Sequence, residues 1–304
     1  MSISRRNFLE TAAIGISASV GALSARESAL GGRVSKDPLA VVPLGKNLQV
    51  TRIGMGFGMR AWNRESNLSR RGMDHAERVI QHAYERGIRL FDHADLYGSH
   101  QFFARALRGK PRDSYSVVTK IWFHPRGLPE EDRPDADVVV KRFLKELNTD
   151  YIDLVQMHCM MRPDWPSQME RQMEILERLK EEGLIRAHGV SIHGFAALQA
   201  VVGQNWVDVV HVRINPYGEK MDASAEQVAP VVEKIHSSGI GVIGMKIVGE
   251  GAFSKDKEKL DASIQYALGL GTVDAMIIGF ETQEDIDDFI TRVEVALGVK
   301  SAVS

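Results

Sequence analysis

Residues 87–98 read GIRLFDHADLYG, and this stretch decides the fold. A helical pattern ends at Gly87, residues 88–91 form an apolar run that reads as a buried strand, and Asp92 and then Tyr97 follow in a loop. Three later segments repeat the layout: VVTK ending at Lys120, IDLVQMH ending at His158, and RAHGVS ending at Ser191. Each is an apolar strand that delivers a polar residue at its C-terminal end. In a closed parallel barrel all such ends share one rim, where the active sites of that architecture lie.

The rest of the chain extends the pattern in both directions. Strands are predicted at residues 50–57, 89–91, 115–119, 151–156, 187–190, 209–214, 241–247 and 275–278. Between them run stripes of apolar residues at helical spacing: Ala76, Val79, Ile80 and Ala83; Val140, Phe143, Leu144 and Leu147; Val228, Val231, Val232 and Ile235; Ile286, Phe289, Ile290 and Val293. Weaker helical signals fall at 102–107, 175–179, 196–202 and 260–268. Pro230 should kink its helix or mark its first turn, and Thr282 with Asp285 forms a capping-box pair before the last helix. Strict strand-then-helix alternation implies parallel strands with right-handed crossovers. Eight such units fit an α/β (β/α)8 TIM barrel better than an open doubly wound sheet, which would carry a nucleotide fingerprint. Gly54, Gly56 and Gly58 have the wrong spacing for one, and close backbone approach at the barrel mouth is their expected role. Before the barrel, Leu44-Gly45-Lys46-Asn47 lies between two short apolar runs, the signature of an N-terminal β-hairpin.

Composition narrows the function. The chain has 304 residues, 44% of them hydrophobic, enough for one barrel without a second domain. The net charge of −2 comes from interleaved acids and bases, which suggests neither nucleic acid nor an anionic membrane surface as a partner. The single cysteine, Cys159, excludes an internal disulfide and any multi-cysteine metal site. No metal site is expected, because His93 and Asp95 alternate away from Asp92 and no other ligand spacing occurs.

The first residues form a separate segment. SRRNFL at residues 4–9, followed by a weakly apolar run at 11–23, resembles a twin-arginine export signal. The run is shorter than the roughly 20 residues a bilayer requires. Ala22-Leu23-Ser24 offers small residues for cleavage, so residues 1–24 are expected to be the signal, 25–40 a linker and 41–304 the barrel. The resemblance implies export through the twin-arginine machinery, a periplasmic location and no stable membrane insertion after processing.

From about residue 44 to residue 297 the chain resembles the aldo-keto reductases. FDHADLYG is similar to that family's Asp-x-Ala-x-x-Tyr-Gly segment, VVTK to its catalytic-lysine strand, DYIDLVQMH to its catalytic-histidine strand and GVS to its nicotinamide-binding strand. The resemblance implies Asp92, Tyr97, Lys120 and His158 as a catalytic tetrad and a nicotinamide dinucleotide across the barrel mouth, NADP(H) in most of the family and NAD(H) as the other form. It also implies Ser191, His211, Met245, Lys246, Gly249, Gly251 and Gly279 as cofactor-binding positions. Several depart from the family pattern: Ile192 stands in place of an asparagine, His211 of a glutamine, Met245 of a stacking aromatic residue, and Gly279-Phe280-Glu281-Thr282 of the Lys/Arg and Ser set that clamps a 2′-phosphate.

The chemistry of carbonyl reduction suits these residue types. Carbon takes a hydride and oxygen a proton, and an ordinary tyrosine, with a pKa of about 10, is a reluctant proton carrier at neutral pH. A neighbouring Lys120 would favour the Tyr97 phenolate, Asp92 would hold Lys120, and His158 would orient the substrate oxygen. Each residue alone reads as a cap, a packing group or a solvated charge, and it is their joint placement on successive strand ends that points to catalysis. A nicotinamide-binding sensor or regulatory subunit with little turnover would share the tetrad, whereas a barrel hydrolase or isomerase would need rim carboxylates or a metal set that the sequence lacks. The substrate is expected to be a small aldehyde, ketone or sugar. Trp62 and residues 160–165 are candidate pocket walls.

Overall fold

The computed structural model describes residues 35–299. Strand β1 (Val41–Leu44) pairs antiparallel with β2 (Leu48–Thr51) to make the expected hairpin, turning at Gly45 with φ of +60°. The strand expected at residues 50–57 is divided. Thr51 Oγ1 donates to the Ile53 carbonyl at 2.8 Å and Arg52 N–H donates to the Ala40 carbonyl at 3.0 Å, so the chain bends at Arg52. Val50 and Thr51 therefore belong to the hairpin, and the barrel begins with β3 (Ile53–Gly56).

The seven strands that follow are β4 (Leu90–Asp92), β5 (Ser116–Ile121), β6 (Ile152–Met160), β7 (Ile185–Ile192), β8 (Val209–Arg213), β9 (Gly241–Met245) and β10 (Ala275–Ile278). With β3 they close into a barrel in the order β10-β3-β4-β5-β6-β7-β8-β9, every pair parallel. The principal outer helices are α1 (Asn67–Arg70), α2 (Met73–Glu85), α3 (His100–Ala106), α4 (Ala136–Leu147), α5 (Trp165–Gln168), α6 (Glu170–Glu181), α7 (Phe195–Gln199), α8 (Ala225–Ser237), α9 (Lys257–Leu270) and α10 (Gln283–Ala296). Their predicted stripes are buried: Ala76, Val79, Ile80 and Ala83 on α2, and Ile286, Phe289, Ile290 and Val293 on α10. Pro230 does not open its helix. The Ser224–Gln227 capping box starts α8 six residues earlier, leaving Pro230 inside it.

Strand alternation sorts the side chains into two cores. Outward-facing residues such as Val117, Val155, Val210 and Val242 pack under the helices. Inward-facing Leu90, Val118, Leu154, Ala187, Val209 and Ile243 fill the N-terminal half of the barrel, and Leu44, Leu48 and Val50 of the hairpin pack onto them from below. Two residues further along the same strands, the inward positions turn polar: Asp92, Lys120, Gln156 and His211, all buried. The apolar plug beneath and the polar layer above define the end of the barrel that carries chemistry. Among the described residues no helix is long and apolar enough to cross a membrane.

Candidate active site

The loop after β4 is built to present one phenol. Asp95, two residues before Tyr97, is buried between two guanidiniums, accepting from Arg64 Nε at 3.2 Å and Arg142 Nη2 at 2.7 Å. A single 3-10 turn at Asp95–Tyr97 then ends on Gly98 in the left-handed region, with φ of +61° and the Arg64 carbonyl filling the space a Cβ would need. Tyr97 is thereby turned back over the barrel mouth.

The four residues of the expected tetrad converge there. Lys120 Nζ donates to Asp92 Oδ1 at 2.5 Å and to the His93 carbonyl at 2.9 Å, and lies 5.3 Å from the centre of the Tyr97 ring. Tyr97 Oη is 3.5 Å from His158 Nε2, and the Trp122 ring stands 5.0 Å from that of His158, centre to centre. His211 Nε2 approaches the same Asp92 oxygen at 3.1 Å, outside hydrogen-bond alignment. As expected, His93 faces outward: it stacks on Phe57 at 4.3 Å and its Nδ1 meets Ser99 Oγ at 2.7 Å. Among the described residues no group of three His, Cys, Asp or Glu side chains could hold a metal ion.

Charge in this layer is set by burial first. Burial alone would raise the Asp92 carboxyl, but its neighbours, the Lys120 ammonium foremost, outweigh it and hold it at about 2, so Asp92 stays ionised. Burial lowers Lys120 against the pull of Asp92. It also pushes His158 well below the ordinary imidazole value, with Lys120 and three other histidines adding to the effect, so His158 is neutral. The sign for Tyr97 is opposite to that expected. Burial, helped by Asp92, Cys159 and Glu250, raises the phenol well above its ordinary value. The Lys120 ammonium, held by Asp92, does not reverse this, so Tyr97 keeps its proton. Burial also pushes the Cys159 thiol up to about 11, which leaves it unreactive.

Tyr97 and Asp92 form one wall of a cavity of about 880 Å³ that runs to the start of α10. Met245, Lys246, Gly249, Gly251 and Gly279, all named from sequence, line it. Lys246 Nζ pairs with Glu250 Oε1 at 3.1 Å, and Lys246, Gly249, Glu250 and Gly251 all have positive φ, which curls this loop over the opening. Ser191 and His211 are fully buried beneath it: Ser191 Oγ accepts from the Cys159 amide at 2.9 Å and His211 faces Asp92. Of the candidate pocket walls, Trp62 is half exposed and packs edge-on against Trp122 at 6.4 Å. Trp165 is core instead, its indole N–H donating to the Ala197 carbonyl at 3.2 Å.

The aldo/keto reductase family model matches residues 54–267, most of the barrel. The chain belongs to the aldo/keto reductase family. It is 26% identical over 182 residues to a probable aldo-keto reductase of Glycine max, an alignment covering 58% of this chain and 50% of that protein. It is 27% identical over 209 residues to a methylglyoxal reductase of Escherichia coli O157:H7, covering 64% of this chain and 71% of the relative. Relative to the first of these curated proteins, the chain spans about half the length. An aldo-keto reductase structure from Bacillus halodurans shares the fold, with a TM-score of 0.64 at 20% identity over 88% of this chain and 98% of that one.

The aldo/keto reductase motifs did not reveal every group near the tetrad. Arg213 donates through Nη1 to Asp222 Oδ1 at 3.1 Å and through Nη2 to His193 Nδ1, and the His193 ring stands 6.1 Å from that of His158. A signal was available, since Arg213 sits two residues beyond His211 on one strand and so on the same inward face. His124 Nε2 meets the Cys159 carbonyl at 2.9 Å, which holds Cys159 at its φ of +67° beside His158.

Proposed function

We propose that this protein is an oxidoreductase that moves a hydride between a nicotinamide dinucleotide and the carbonyl or alcohol of a small aldehyde, ketone or sugar, with Tyr97 as the general acid and base. The observation that carries this reading is the Tyr97 hydroxyl, in the wall of a cavity large enough for an extended ligand, 3.5 Å from His158 Nε2. The residues fit a dinucleotide: Gly58, with no side chain, lets Tyr97 lie against the backbone at the cavity wall, and Lys246, paired with Glu250 at 3.1 Å, lines the cavity with Gly249 and Gly251, which have no side chains to fill it. The bound dinucleotide supplies the hydride in reduction and accepts it in oxidation. This chain's residues do the rest. His158 Nε2 and Tyr97 Oη converge on the position of a substrate oxygen, and Tyr97 gives that oxygen its proton as the carbon is reduced. The Lys120–Asp92 pair then lies beneath the phenolate, with the ammonium near enough to stabilise it.

The test is a panel of aldehydes, ketones and sugars followed by cofactor absorbance. Multiple turnovers with any member support the enzyme, and tight dinucleotide binding without turnover across the panel would favour a sensor. The methylglyoxal reductase relative places short dicarbonyls first in that panel.

We further propose that the protein is exported folded through the twin-arginine route and works in the periplasm after losing residues 1–24, with 25–40 as a linker. The Ser4-Arg5-Arg6 motif and the short apolar run support this, and both lie outside the described residues. Free dinucleotide is scarce outside the inner membrane, so an exported enzyme would hold its cofactor and recycle it, oxidising one substrate and reducing another in alternation.

A further inference from the structure

We infer that the far end of the cavity selects the unphosphorylated dinucleotide, NAD(H), and that Glu281 and Asp285 exclude the 2′-phosphate of NADP(H). The inference rests on the dinucleotide reading above. Proton transfer from Tyr97 fixes the reacting ring at the Asp92–Tyr97 end, so the adenosine half must extend toward Asn67, Arg71, Glu281 and the first turn of α10, which line the other end.

A helix N-terminus ordinarily attracts anions, because its first amides have no partner within the helix. This one is already closed by its own carboxylate. Asp285 Oδ2 accepts from the amides of Glu281 at 3.0 Å and Thr282 at 2.9 Å, and Thr282 Oγ1 accepts from the Asp285 amide at 3.1 Å. A phosphate arriving there would have to displace a charged group that makes two hydrogen bonds.

Glu281 adds a second obstacle. Its Oε1 accepts from Asn67 Nδ2 at 2.8 Å, which holds the carboxylate in the wall. Arg71 is the obvious phosphate ligand, but its Nη1 is engaged with Glu281, donating to the backbone carbonyl at 3.2 Å and approaching Oε2 at 3.4 Å. Drawing Arg71 away would leave Glu281 bare beside the incoming dianion. The lining at this end holds Glu281 and Asp285 beside the guanidiniums of Arg60 and Arg71, and a third carboxylate, Asp288, is already paired with Arg292 at 2.6 Å. A ribose 2′-hydroxyl reverses the situation, since it donates a hydrogen bond and a carboxylate accepts it with the added strength of its charge.

Titrating the purified full chain with NADH and NADPH, without substrate, and following tryptophan fluorescence tests this directly. The dissociation constant for NADH should be at least about tenfold lower at low ionic strength, and the ratio should shrink as salt screens the repulsion. Glu281→Gln keeps an amide oxygen for Asn67 and should narrow the ratio by tightening NADPH while NADH weakens or stays level. Wild-type protein that binds NADPH as tightly as NADH, or more tightly, overturns the inference and leaves the oxidoreductase reading standing. Protein that binds neither overturns both. The wild-type comparison decides the matter even if the variant fails to fold.

Discussion

A Cβ placed on Gly58 would lie 2.6 Å from the Tyr97 hydroxyl oxygen and 2.8 Å from its Cε1. Backbone therefore touches the reactive phenol directly, and the glycine just beyond β3 keeps the proton donor in place. Gly58→Ala should fold normally, because the Gly58 φ is not in the left-handed region, yet push Tyr97 away from His158. Displacement of a reacting group by about 1 Å can cost about 10²-fold, so kcat should fall by that order while unfolding midpoints stay close to wild type. Unchanged turnover in Gly58→Ala would mean that Tyr97 is free to reposition and is not held by this contact.

Tyr97→Phe removes one oxygen and leaves the ring packing intact. Hydride transfer without a proton donor should be at least about 10²-fold slower, with dinucleotide affinity within a few-fold of wild type. A variant keeping more than about a tenth of wild-type kcat would move the acid role to another group, with His158 the nearest one.

The legibility of the sequence follows from what alternation encodes. Asp92, Lys120 and His158 could be read because each ends an apolar strand, and in a parallel barrel that position alone fixes the rim and the inward face. The division at Arg52 left only a faint mark, the adjacent polar pair Thr51-Arg52 that puts Val50 out of phase with Ile53, Met55 and Phe57, and it is the hydrogen bonds of Thr51 and Arg52 that define the bend. Trp165 falls in a loop expected to wall the pocket, but its indole N–H donates to the Ala197 carbonyl, 32 residues away, which the sequence does not show. The Tyr97 shift was misjudged for a related reason. The sequence points to the lysine and to the Asp92 that holds it, but it does not show that the phenol is buried, and burial sets the sign.

Replacing Arg5 and Arg6 together by Lys should leave full-length protein inside the cell, because the twin-arginine route reads the guanidinium pair. Native protein should be recovered outside the inner membrane and shorter by about 24 residues. Denaturing that native fraction should release nucleotide if the cofactor is retained. Uncleaved protein in the cytoplasm of the native host would refute export, and empty protein fully reactivated by micromolar free dinucleotide would refute retention.

Stability should fall as the solution is made mildly acidic, because the barrel mouth is built on neutral imidazoles. Burial is the leading cause that lowers His93, His158, His193 and His211, with neighbouring cations and histidines adding to it and Asp92 opposing it at His93 and His211. The unfolded chain takes up protons at these residues as pH drops through about 6.5, while the folded chain does not. The unfolded state then binds more protons, so folding free energy decreases as pH decreases, by up to about 1.4 kcal/mol per pH unit for each such group. His236 acts in the opposite direction, since its hydrogen bond to Asp274 raises it, and it offsets part of the slope. Asp92, held at about 2, contributes stability at neutral pH that is lost only as pH falls from about 4 through about 2, outside this window. Urea unfolding midpoints measured from about pH 7.5 to about pH 5.5 should decline steadily. His93→Gln, which lies outside the cavity and can still bond Ser99, should flatten the decline by one group's share. Midpoints that rise toward acid would show that these histidines are protonated in the folded barrel, and the neutral His158 on which substrate orientation depends would have to be abandoned.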